Sequence, residues 1–156
     1  MKRAQALRIL DANLNRSREG LRVCEEVARF FLGERLLTRD LKAARHAVTA
    51  CFKRLDAREL LAARDARGDV GRAPSALERG RDGARDLFLA NSQRAKEALR
   101  VLEEASGLID AALPPRFKRI RFAVYDIEKR ALPQLEAVHD HRPPRRARKG
   151  SGRSRG

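Results

Sequence analysis

The sequence has no tryptophan, one tyrosine and one methionine, and aromatic residues make up only 4% of it. Ala, Leu, Arg and Glu dominate instead, which favours helix over sheet. Cysteine is nearly absent: Cys24 and Cys51 both occupy apolar positions of helical patterns and read as buried thiols, not as a disulfide. Histidine is as scarce, with only His46, His139 and His141. None has the Glu-x-x-His spacing of a di-iron bundle, none joins a zinc-binding cluster, and none supports a nucleophile relayed through imidazole. No GxxxxGK[ST] phosphate loop exists, because GDVG at residues 68–71 lacks both the lysine and the length. No apolar run approaches the roughly 18 residues of a membrane span. The opening MKRAQALRIL has no apolar signal core and no small-residue cleavage pattern. The expectation is a soluble, cytoplasmic protein.

What the chain does contain is one stretch written twice. ANLNRSREGLRVCEE (residues 12–26) returns as ANSQRAKEALRVLEE (residues 90–104), with nine of 15 positions identical at a constant offset of 78. Helical propensity alone would not keep Asn13 with Asn91, Arg16 with Arg94 and Glu19 with Glu97 in register, so the match marks an internal duplication. It extends beyond one helix. Lys42, Arg45, Ala47, Val48, Lys53 and Arg54 correspond to Lys118, Arg121, Ala123, Val124, Lys129 and Arg130 at an offset of 76. Each repeat is therefore a helical hairpin, and two hairpins face to face predict an all-α four-helix bundle with an approximate internal two-fold.

Helical spacing places the repeated residues on two adjacent stripes. Ile9, Asn13, Arg16, Gly20, Val23, Val27 and Phe30 form one; Leu7, Leu10, Leu14, Leu21, Cys24, Ala28 and Phe31 form the other. Asn13 and Arg16 interrupt the first, as Asn91 and Arg94 do in the second copy. A guanidinium drawn into a bundle needs an anion and satisfied donors. Arg16 and Arg94 either pair with glutamates of a neighbouring helix, which residue types alone favour, or face a polar pocket in which Gly20 and Ala98 leave room. The series Glu19, Arg22, Glu26 and Glu97, Arg100, Glu104 read as solvated charge ladders.

In chain order, the first helix is expected from about residue 4 to 32, stopped by Gly33. Thr38 is the expected cap for a second helix that continues to about residue 61, its buried side marked by Leu41, Ala44, Val48, Cys51 and Leu55. Residues 62–74 form a linker loop broken by Gly68, Gly71 and Pro74 and carrying Arg64, Asp65 and Asp69. It reads equally as a solvated connector or as a functional loop on a rigid scaffold. Ser75 and Glu78 make a capping box for the third helix, with regular structure starting nearer Arg85 and running to about residue 110. Pro114 and Pro115 open a fourth, from about residue 116 to 132. The helical domain is thus set at residues 1–136, and a disordered basic tail at 137–156. Of the net charge of +15, the stretch 139–156 contributes +6. The remainder still favours anionic ligands such as phosphates or nucleic acid.

The chemistry left to a bundle offering Arg, Asn, Glu and Asp is phosphate binding and phosphoryl transfer. The combination ILDANLNRSREGLRVCEEVARF, LKAARHAV, RDARGDVG and ANSQRAKEALRVLEE resembles the monofunctional hydroxymethylpyrimidine phosphate kinase family of thiamine biosynthesis, a helical domain also found fused ahead of thiamine phosphate synthase. The likeness covers roughly residues 7–130, several motifs in the same order. The fused synthase has no counterpart here, so synthase activity is not implied. The resemblance implies transfer of the terminal phosphoryl group of ATP, with Mg2+, onto 4-amino-5-hydroxymethyl-2-methylpyrimidine phosphate. It implies phosphate binding by Arg16, Arg94, Arg45 and Arg121, with orientation by Asn13 and Asn91. Asp65 and Asp69 would hold magnesium or close over the nucleotide, Arg64 would stabilise transferred charge, and Glu19 and Glu97 would meet the aminopyrimidine edge or lock the arginines. Two other functions fit the composition: a basic helical module binding nucleic acid through its tail, and a non-catalytic helical scaffold that oligomerises through spare apolar faces.

Overall fold

The computed structural model describes residues 1–70 and 83–140, with side chains through residue 138. Its elements are α1 (Arg3–Glu26), a π-helical turn (Val27–Phe31), α2 (Arg35–Phe52), the short α3 (Ala57–Ala63), α4 (Ala84–Ser106) and α5 (Pro114–Asp140), and no strand occurs among the described residues. Helices α1 and α2 form one hairpin, α4 and α5 the other. Helix α1 packs against both α2 and α4, and α5 packs against both α4 and α2, so the four long helices close a ring, with α3 laid against α1. Inside it, Leu10, Leu14, Leu21 and Cys24 of α1 meet Leu41 and Val48 of α2, Phe88, Leu99 and Leu102 of α4, and Phe117, Val124 and Leu135 of α5. No helix among the described residues is long and apolar enough to cross a membrane.

Four expectations change. Phe30 and Phe31 are exposed, not buried. The turn before Gly33 widens, with the Leu32 N–H donating to the Val27 carbonyl five residues back, and this extra residue rotates both rings off the core stripe. Gly33 still ends the helix, at φ 67°, a conformation glycine adopts without steric cost. Second, α2 starts at Arg35, and Thr38 donates its hydroxyl to the Glu34 carbonyl inside the helix instead of capping it. Third, the single helix expected through residue 61 is two. The chain breaks after Phe52, and Asp56 caps α3 by accepting from the Arg58 N–H at 2.8 Å, which lets Leu60 turn back into the core. Fourth, α5 does not stop before Pro133 but runs through it to Asp140, beyond the boundary set at residue 136. A proline inside a helix costs about 3 kcal/mol. Ala131 and Leu135 on either side are fully buried, and one buried leucine returns about 2–3 kcal/mol, so packing carries the helix across. The Ser75–Glu78 box and the basic stretch from residue 141 onward lie outside the described residues.

Helices α1 and α4 approach each other closely at Gly20. A Cβ built on this residue would stand 2.7 Å from the backbone oxygen of Asn91 and 3.3 Å from the Cβ of Ala95. The obstacle is backbone, which cannot swing aside. Gly20→Ala should therefore destabilise the fold by about 1–3 kcal/mol, even though alanine is the better helix former by about 1 kcal/mol. Urea unfolding of the variant measures this, and a gain in stability would show that the two helices do not meet at Gly20.

Candidate functional site

At that crossing lies a cavity of about 520 Å³ lined by Asn13, Arg16, Glu19 and Gly20 from α1 and by Asn91, Arg94, Glu97, Ala98 and Val101 from α4. All but Val101 fall into pairs at the repeat offset of 78, so one Asn, one Arg, one Glu and one small residue from each copy converge on one place. The asparagines form its buried part, at 7% and 6% exposure. Asn13 donates its amide to the Ile9 carbonyl at 2.9 Å, and Asn91 donates to the Leu87 carbonyl at 2.8 Å. The same bond in both copies turns each amide nitrogen toward its own helix and leaves each amide oxygen as an acceptor. The arginines and glutamates reach more open positions. A buried guanidinium inside the bundle is therefore not what the fold provides: long stems carry the charges to an open rim, where their desolvation cost is small. Arg16 and Glu19 make no hydrogen bond or ion pair among the described residues, and Glu97 accepts from the Gln93 amide at 2.8 Å.

Arg45 and Arg121, expected among the phosphate ligands, do not line this cavity. Arg45 donates Nε to Glu25 Oε2 at 2.9 Å, and Arg121 donates Nε and Nη2 to Glu103 Oε2 at 3.0 and 2.8 Å. Arg22 and Arg100 reach the same two glutamates from their own helices, at 3.4 and 2.9 Å. These are doubled ion pairs that tie each hairpin together. The sequence carried the signal, since Glu25 and Glu103 share the offset of 78 and the two arginines the offset of 76, but the charge ladders run through Glu19, Glu26, Glu97 and Glu104 and give Glu25 and Glu103 no role.

The loop residues are also placed elsewhere. Arg64 forks onto Asp11, Nε to Oδ2 and Nη2 to Oδ1, both at 2.7 Å, and the Asp11 carboxylate is buried. Asp11 was invisible to the duplication because its counterpart position holds Leu89. Asp65 accepts from the Gly68 N–H at 2.8 Å with Oδ1 and lies 3.4 Å from Arg8 with Oδ2. Asp69 is exposed in the same loop. No group of three or more His, Cys, Asp and Glu side chains with metal-binding geometry occurs among the described residues. The hydrogen bonds from Arg64 to Asp11, and from Arg121 to Glu103 and then Tyr125, push both guanidinium pKa values up, so neither can act as an acid. Burial, with the nearby Glu128 charge, pushes the Cys24 thiol up to about 12, which leaves it protonated and without nucleophilic character.

Among known proteins, the model of the ThiD2 family matches residues 8–130. A thiamine-phosphate synthase of Synechocystis sp. is 45% identical over 126 residues, which are 80% of this chain and 36% of that protein. Those of Rhodopirellula baltica and Nostoc sp. are 40% and 43% identical, over 76% and 78% of this chain and 32% and 34% of their own lengths. The chain thus spans about a third of the curated relatives it matches. No solved structure matches it.

The two kinds of arginine separate experimentally. Arg45→Ala removes the nearer of the two guanidiniums that meet the Glu25 carboxylate, whose side chain is 4% exposed, and leaves only Arg22 at 3.4 Å, so it should cost about 2 kcal/mol in chemical denaturation. Arg16→Ala, at an exposed and unpaired position, should stay within about 0.5 kcal/mol of the parent. Equal losses in the two variants would contradict this division.

Proposed function

The chain belongs to the ThiD2 family, and from that premise we propose that it acts in thiamine biosynthesis, transferring the terminal phosphoryl group of ATP to 4-amino-5-hydroxymethyl-2-methylpyrimidine phosphate to give the diphosphate. One observation carries the reading: Asn, Arg and Glu from each repeat line a single cavity across the internal two-fold. The reaction has the same form. An oxygen of the acceptor phosphate forms a bond to the γ-phosphorus as the bond from that phosphorus to the bridging β–γ oxygen breaks, releasing ADP. At the midpoint a phosphoryl group stands between two phosphates. Two like arms, each offering a guanidinium, suit two like phosphates on either side of a central group.

Both the attacking and the leaving oxygens belong to phosphates already ionised at neutral pH. No side chain has to remove a proton, which agrees with a cavity that holds no histidine. The work left to the protein is to hold two polyanions in line against their repulsion. In this reading Arg16 and Arg94 hold the flanking phosphates, and the buried Asn13 and Asn91, whose amide nitrogens are engaged by their own helices, act through a cation that their amide oxygens would help to hold.

Two glutamates beside two arginines leave the cavity formally neutral, so polyanions entering it need further positive charge. Magnesium fits that need and the oxygen donors present: Glu19, which is without a partner among the described residues, Glu97, and the two amide oxygens. Bound there, the ion would neutralise charge between the phosphates. Asp65 fits less well, with its oxygens engaged by Gly68 and Arg8. We therefore assign Arg64 and Asp65 to anchoring the loop on α1, through Asp11 and Arg8. Asp69 keeps its proposed part toward the nucleotide.

Purified protein with MgATP and the pyrimidine monophosphate should release ADP and the diphosphate in equal amounts. Arg16→Ala and Arg94→Ala should each lower kcat/KM by at least about 100-fold, the scale on which removing one well-placed donor raises a charged transition state, with unchanged helical content. No product under conditions where an established kinase for this substrate turns over would end the proposal.

A further inference from the structure

A second cavity, of about 580 Å³, lies beside the first between α1 and α2, lined by Asn15, Arg18, Glu19, Arg22, Val23 and Arg45. Glu19 borders both, so the two adjoin at its side chain. Two of its three guanidiniums are already matched: Arg22 by Glu25 and Glu26, and Arg45 by Glu25. Arg18 is not. It pairs with no carboxylate among the described residues, and its Nε is shielded from solvent with no hydrogen-bond acceptor. Buried donors are nearly always satisfied in native proteins, so this one calls for an acceptor that the described residues do not supply.

The second repeat shows what such an acceptor does. The residue equivalent to Arg18 is Lys96, whose ammonium lies 2.5 Å from Glu128 of α5, with the Ser92 hydroxyl donating to the same carboxylate at 3.1 Å. At the offset of 76 the position matching Glu128 is Phe52, and that matching Ser92 at the offset of 78 is Leu14. One repeat therefore supplies its own anion to this cation, and the other supplies an aromatic ring and a leucine. Here the two-fold is broken, next to a pocket where it otherwise holds.

We propose that the Arg18 cavity receives the α-phosphate of the nucleotide, which makes the first repeat the nucleotide side of the central pocket and the second repeat the acceptor side. This rests on the kinase reading for the second substrate, though not for the anion. The nucleotide carries its phosphates in a row. With the terminal group at the two-fold and the next beside Arg16, the third falls on the far side of Glu19. That inner phosphate is singly charged, matching a single unpaired guanidinium. The acceptor has one phosphate followed by an uncharged ring, so its side needs no further cation, and there Glu128 fills the equivalent place.

The test uses the full chain and isothermal titration with MgATP and, separately, with the pyrimidine monophosphate, alongside steady-state KM values for both. Arg18→Gln should raise Kd and KM for MgATP about tenfold, as for loss of one charge-assisted hydrogen bond, and leave those for the monophosphate unchanged. Arg18→Lys, which keeps the charge and adds no bulk, should recover nucleotide affinity to within about threefold. It also serves as the test variant if the glutamine protein melts early. Unchanged MgATP affinity in Arg18→Gln, or a loss confined to the monophosphate, overturns the assignment while leaving the kinase reading intact. Nucleotide binding that depends on Arg18 without any turnover upholds the anion site and ends the kinase reading. A parent protein that binds no nucleotide ends both.

Discussion

Helices α1 and α4 cross so closely that no side chain fits between Gly20 and the Asn91 carbonyl, and the site is a consequence of that approach. Two helices of one sequence pattern, meeting at equivalent points, bring their equivalent residues face to face. Asn13 and Asn91, each about two turns from the small residues Gly20 and Ala98, then share one cavity with Arg16, Arg94, Glu19 and Glu97. Were the crossing wider, the two sets would form separate shallow patches. Each would then offer a ligand a single guanidinium. The duplicated ion pairs Arg45–Glu25 and Arg121–Glu103 serve the same end, since each fixes its hairpin partner behind the crossing helix.

On the proposed reading, symmetry is kept where two like groups are held and is broken where the two substrates differ. The asparagine bonds to Ile9 and Leu87 and the doubled arginine–glutamate pairs differ little between copies. Next to them, Lys96 meets Glu128 while the buried Nε of Arg18 meets no acceptor among the described residues. The loop after α3 adds a second asymmetry, because Arg64 reaches back to an aspartate that has no counterpart in the other repeat.

Much of this was legible in the residues. The repeat gave the hairpins, the core stripe and the six polar residues that line the cavity, because a register shared by two copies records contacts that propensity does not. Other features left weaker traces. The destination of Arg45 and Arg121 was missed because a glutamate on a helix reads as solvated until the partner helix is placed. The split after Phe52 depended on Asp56, whose capping role competes with an unbroken helical pattern, and the persistence of α5 past Pro133 depended on the burial of Leu135. Arg16 and Arg94 were expected inside the bundle. Their long side chains place the charge at the rim, where a ligand can reach it at little desolvation cost.

The central claim is that one polyanion is held by both repeats at once. Inorganic tripolyphosphate with magnesium resembles the row proposed to form at transfer, two phosphates flanking a central phosphoryl group between Arg16 and Arg94, and it can be titrated calorimetrically without any assumption about chemistry. The expected result is one ion bound per chain, with affinity reduced about tenfold by Arg16→Ala and by a similar factor in Arg94→Ala. Absence of saturable binding, or an affinity that neither substitution changes, would contradict it.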